Sequence, residues 1–185
     1  MDKMKEDQKE TGKGLVHIYC GDGKGKTTCG MGLCIRAAGA GLKVLIFQFM
    51  KDNSTSERNV MDQVSGITLL KGPNQEKFSF QMTREEKEEH RLFYSQKLEW
   101  IFRKASREAY DILFLDEVLY AIRAGLLPEE ELLEKLDHRP EGLEVILTGQ
   151  GLSEELLRRA DYVTEMKKIK HPFDRGVIAR IGIER

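Results

Sequence analysis

The sequence lacks most features that mark a specialised chain. Its charge has no dominant sign, since 30 basic and 31 acidic residues leave a formal net charge of -1. That balance argues against nucleic acid or an anionic membrane surface as the main partner. No apolar run is long enough to cross a bilayer, so no membrane partner is expected. The cysteines are only Cys20, Cys29 and Cys34, an odd set without paired C-x-x-C spacing. They suit neither a disulfide framework nor a zinc site, and read as small apolar residues in a reducing compartment. Residues 1–13 are charged and lack a signal peptide's apolar stretch, so the expected location is cytoplasmic. No internal repeat, low-complexity block or linker divides the chain.

What is present is a globular composition, 185 residues of which 40% are hydrophobic. That is enough for one domain with a sizeable core, expected over residues 14–185 behind a flexible segment 1–13.

The informative stretch is LVHIYC-GDGKGK-TT, Leu15 to Thr28. A short apolar strand runs into a loop with glycine at 21, 23 and 25, and Lys26-Thr27 then opens a helix. This order makes a phosphate cradle. Glycines let backbone N–H groups approach a polyphosphate, and the helix start adds unpaired N–H groups and the positive dipole end. Lys26 supplies a cation and Thr27 a hydroxyl for magnesium. The usual pattern G-x-x-x-x-G-K-[ST] puts its first glycine at position 20, but Cys20 stands there and Gly21 follows one place late. The shift predicts a loop of unusual shape with phosphates in an atypical register.

Beyond the cradle, Lys43–Phe49 reads as a buried parallel strand. The polar stretch Met50–Asn59 follows at the edge where open α/β sheets bind ligands. Ile67–Lys71 is a short strand. Phe78 and Phe80 lie in an irregular loop, either as anchors to the core or as walls for a large flat ligand. Thr83 and Glu86 form a capping box that opens the longest helix, reaching about Tyr110. Leu98, Ile101, Ala105 and Ala109 are its expected buried stripe.

A second signal is DILFLDE, residues 111–117, an apolar strand that delivers Asp116 and Glu117 to its tip. In P-loop proteins such an acid holds magnesium. A short helix from Pro128, a strand Leu143–Thr148, a helix capped by Ser153 and a strand Tyr162–Met166 follow. The basic tail reads as a surface crossing. Arg36 on the first helix is either a surface arginine or a cation aimed at the nucleotide. The fold class is therefore α/β, a mostly parallel six-stranded sheet with helices on both faces.

GDGKGKTT, LFLDE, LTGQG, ADYVTEM and KHPFDRGVIARIGIE together resemble the P-loop corrinoid adenosyltransferases, from about Gly14 to Glu184. The resemblance implies a single-domain P-loop NTPase-like (RecA-like) fold and transfer of 5′-deoxyadenosine from ATP to the cobalt(I) of a reduced corrinoid such as cobalamin. Triphosphate is released. It further implies a nucleotide lying reversed in the loop, in keeping with the displaced glycine. Gly21, Asp22, Gly23, Lys24, Gly25, Lys26, Thr27 and Thr28 match the phosphate loop, with Asp22 where the family commonly has Asn. Lys26 would neutralise the leaving triphosphate and Thr27 would ligate Mg2+. Glu117 matches the magnesium-side acid, supported by Asp116, and Arg36 matches an arginine on the phosphates. Phe78-Ser79-Phe80 aligns with a Phe-Thr-Trp segment that displaces the corrinoid's lower axial base. Gln150 stands where the family often has Arg and receives no role. The resemblance also implies a homodimer, an N-terminal segment over the nucleotide, and a reduced flavoprotein as electron donor. Two other readings compete: a P-loop kinase or ATPase releasing ADP, and a non-catalytic ATP-responsive corrinoid carrier.

Overall fold

The computed structural model describes residues 14–73 and 79–184. The chain begins with β1 (Val16–Cys20), the glycine loop and α1 (Lys26–Gly39). It continues through β2 (Val44–Gln48), a one-turn helix α2 (Arg58–Met61), β3 (Ile67–Leu69) and a 3-10 turn at Ser79–Gln81. The long helix α3 (Arg84–Arg107) leads into β4 (Ile112–Asp116) and α4 (Val118–Arg123). Then come α5 (Glu129–Asp137), β5 (Glu144–Thr148), α6 (Glu154–Arg159), β6 (Tyr162–Glu165) and a 3-10 turn at Pro172–Arg175.

All six strands are parallel, in the spatial order β3-β2-β4-β5-β1-β6. Parallel strands need crossovers, which place helices on both faces of the sheet. Strand alternation divides the core in two. Leu45, Phe47, Leu113, Leu115, Val145 and Leu147 point to the face covered by α3, α4, α5 and α6. Val44, Ile46, Ile112, Phe114 and Ile146 point to the face covered by α1 and α2. Helix α1 lies close to the sheet because Gly30 faces the Phe114 ring, and a β-carbon there would sit 2.4 Å from it.

The capping box at Thr83 forms as expected, with its side chain accepting from the Glu86 N–H and Glu86 reaching back. The helix it opens stops at Arg107, before Tyr110. Ala109 is exposed with φ 49°, so it leaves the stripe, and Tyr94 and Phe102 join Leu98, Ile101 and Ala105 instead. Helix α4 is an addition to the sequence reading. Its VLYAIR segment has no capping side chain and starts at a left-handed Glu117, so no local start signal announces it.

Candidate active site

The glycine loop is built against the end of β6. Strand β1 continues through Cys20, which pairs with Glu165, and this added residue displaces the first glycine to position 21. Gly21 then turns with φ 104° and Gly25 with φ 117°, in the left-handed region that favours glycine. A β-carbon on Gly21 or Gly23 would lie 2.4 or 2.6 Å from the Met166 carbonyl oxygen. The Gly23 N–H donates to that oxygen at 2.6 Å. Asp22 turns outward and accepts the Lys168 backbone N–H at 2.8 Å, a bond that holds its carboxyl below the usual range. The carboxylate at this position is thus directed to the tail. Lys26 Nζ donates to the Gly23 carbonyl at 2.8 Å, arching back over the loop.

Strand alternation and register build the acid cluster. Gln48, Asp116 and Thr148 end β2, β4 and β5 with the parity of Ile46, Phe114 and Ile146, so all three face α1. The first turn of α1 brings Thr27 against them. Thr27 and Thr148 donate to Asp116 Oδ1 at 2.9 and 2.7 Å. Lys51 and Gln48 donate to Oδ2 at 2.8 and 3.2 Å. Asp116 is fully buried. Burial pulls the Lys51 ammonium down, but the adjacent Asp116 carboxylate outweighs it and holds the group above its ordinary value. Thr148 also accepts the Glu117 N–H at 2.8 Å. Glu117 adopts φ 58°, which breaks the strand and turns its side chain into the cleft. Burial, and then Asp116, raise its carboxyl above the usual range.

Above this floor lies a cleft of about 310 Å³. Asp22 to Thr28 and Glu117 form one side. The tail forms the other, with His171, Phe173, Val177, Ile178, Ile183 and Glu184 among its lining residues. The His171 ring accepts the Phe173 N–H at 3.1 Å through Nδ1, which leaves Nε2 as the protonated nitrogen. The cleft thus joins a cationic, N–H-rich floor to an apolar wall, as a nucleotide requires.

The sequence model of the ATP:corrinoid adenosyltransferase family BtuR/CobO/CobP matches residues 12–185. The chain belongs to this family. A corrinoid adenosyltransferase of Escherichia coli is 33% identical over 180 residues, covering 96% of this chain and 88% of that protein. Corrinoid adenosyltransferase CobA of Salmonella typhimurium is 32% identical with the same coverage. A corrinoid adenosyltransferase of Pseudomonas aeruginosa is 31% identical over 181 residues, covering 93% and 84%.

The adenosyltransferase fold gathers most of the residues singled out from sequence. Asp22 to Thr28 and Glu117 line one cleft, Gly21 shapes the loop entering it, and Asp116 lies buried beneath it. Arg36 is not brought to the cleft. It is exposed in the last turn of α1, about 15 Å along the helix from Lys26 at a rise of ~1.5 Å per residue. Phe80 stands 77% exposed on the 3-10 turn, outside the residues that line the cleft. Phe78 lies outside the described residues, as does the segment 1–13. Gln150 accepts from Arg123 at 2.8 Å. Cys20 and Cys34 are buried as small apolar residues, and burial pushes the Cys34 thiol up to about 12, whereas Cys29 is only partly buried.

Lys51, Gln48 and Thr148 are functional-site residues that the motifs did not mark. For Gln48 and Thr148 the signal was strand parity, because each ends a strand on the α1 side. Lys51 follows the turn at Met50 (φ 56°), and its signal was its place in the polar Met50–Asn59 stretch at the ligand-binding edge of the sheet. Among the described residues no group of three His, Cys, Asp or Glu can hold a metal ion unaided. The Thr27 hydroxyl and the Glu117 carboxylate are nevertheless hard oxygen donors flanking the loop, which suits a magnesium ion shared with phosphate oxygens.

Proposed function

We propose that this chain joins ATP and a reduced corrinoid over the glycine loop, transferring the 5′-deoxyadenosyl group to cobalt(I) and releasing triphosphate. Cobalt supplies the electron pair of the new Co–C bond. The C5′–O bond breaks, its pair leaves on the triphosphate, and cobalt ends formally as cobalt(III). The observation that carries this reading is the tail. Its K-H-P-F to I-G-I-E segment, far from the loop in sequence, forms the opposite wall of the phosphate cleft. A generic P-loop kinase has no need of that segment.

Lys26, the loop N–H groups and the α1 N-terminus bind the triphosphate and stabilise the charge it gains as it leaves. Bound magnesium would supply further neutralisation of that charge, held by Thr27 and Glu117. The nucleotide lies reversed, its ribose carbon toward the mouth of the cleft, which the one-residue shift of Gly21 supports. Phe80, with Phe78, faces the lower side of the corrinoid, in keeping with the exposure of Phe80 on its 3-10 turn. The working assembly is a homodimer in the cytoplasm, supplied with electrons by a reduced flavoprotein, with residues 1–13 over the nucleotide.

The test is an anaerobic assay with ATP, magnesium and chemically reduced cobalamin. Equal amounts of adenosylcobalamin and triphosphate are expected. Sustained ADP release in the absence of corrinoid would instead identify a kinase or ATPase.

A further inference from the structure

Asp116 has no hydrogen-bonding capacity left. A carboxylate offers about four lone-pair sites, and Asp116 receives four donors: Thr27 and Thr148 on Oδ1, Lys51 and Gln48 on Oδ2. It cannot ligate a metal directly unless one of these donors leaves. Thr148 and Gln48 end strands of the sheet and Thr27 begins α1, so three donors are neutral and fixed by the fold. The fourth is a cation. Lys51 lies just past β2, its side chain 22% exposed, 3.6 Å from Glu57 and 3.4 Å from the Thr27 hydroxyl. Its charge therefore stands beside the hydroxyl that opens the phosphate-binding helix.

We propose that Lys51 is a positioning cation of the triphosphate site, which occupies Asp116, leaves Glu117 as the metal-side carboxylate, and replaces part of magnesium's charge in holding the polyphosphate. This rests on ATP binding at the cleft. A purely structural lysine would support the loop equally for metal-free and metal-bound nucleotide. A built-in cation would not. Its loss weakens metal-free ATP more than magnesium-ATP, because the freed Asp116 and the removed repulsion both favour the metal. Lys51 and the ion are thus coupled, and such couplings are typically about 5-fold or more.

The measurement is the dissociation constant of ATP by calorimetry, once with excess chelator and once with excess magnesium. The ratio of the two constants is the readout. Lys51→Met should raise that ratio at least about 5-fold over the parent, and Lys51→Arg should leave it near the parental value. Lys51→Gln keeps a donor for Asp116 but loses the charge, so it should follow Lys51→Met, and it serves if the methionine variant does not fold. An unchanged ratio in the Met or Gln variant overturns the proposal. Failure of both to fold also overturns it, since the charge would then serve the fold and not the ligand. A parent that binds ATP under neither condition would refute the nucleotide reading itself, a result distinct from an unchanged ratio.

Discussion

The Thr27 hydroxyl donates to Asp116 Oδ1 at 2.9 Å, across 89 residues of sequence. The bond fixes the start of α1 to the tip of β4. It also commits the hydroxyl hydrogen inward, which turns the oxygen's lone pairs away from Asp116. The phosphate loop and the acid strand therefore act as one unit, and substitutions in one are felt in the other.

Lys26→Ala removes the cation that arches over the loop. A hydrogen bond to a charged partner is worth ~1.5–3 kcal/mol, so ATP affinity should fall about 10- to 100-fold. Turnover should fall with it, since the leaving triphosphate loses the same charge. Calorimetry and a product assay measure the two effects, and parental values in both would remove Lys26 from the site.

Glu117→Gln separates stability from activity. The folded chain holds the Glu117 proton more tightly than the unfolded chain, because burial and Asp116 raise its pKa. That stabilisation is complete below the unfolded pKa and is lost as pH rises through the folded value. At neutral pH the ionised carboxylate thus opposes folding. The glutamine variant should melt above the parent near neutrality, and the gap should close as pH falls toward about 4. Its turnover should drop on the order of 100-fold, the scale of a lost electrostatic contact to a developing charge. A gap independent of pH in thermal melts would contradict this account.

Gly21→Ala tests the displaced register. The new β-carbon meets the Met166 carbonyl oxygen at 2.4 Å, at a backbone φ of 104°. Backbone strain alone costs ~1–3 kcal/mol, and relief of the clash must move the loop from β6. Urea unfolding should show the loss of stability, and ATP titration a weaker site. An alanine variant with parental binding would show that the loop's attachment to β6 is dispensable.

Phe80→Ala should act on the reduction step. Removal of one aromatic contact, ~0.5–1.5 kcal/mol, slows reaction from cobalt(II) under a mild reductant by about 2- to 10-fold. Prereduced cobalt(I) should react near the parental rate. Equal loss in both assays would place Phe80 in some other function.

By itself the sequence determined the features that are contiguous in the chain. Strand, glycine turn, Lys26-Thr27 and helix follow one another without a gap, so their chemistry is local. The same holds for the apolar strand ending in Asp116-Glu117, and for the alternation of strands and helices that requires a parallel sheet. Only the tertiary structure decided what meets across the sheet. The order β3-β2-β4-β5-β1-β6 sets Gln48 and Thr148 on either side of Asp116, and Lys51 joins them from the loop after β2. It also left Arg36 far along α1 and brought the tail over the phosphate loop. Strand order and register are fixed by how the helices bury both faces of the whole sheet, and no short stretch of residues encodes that sum.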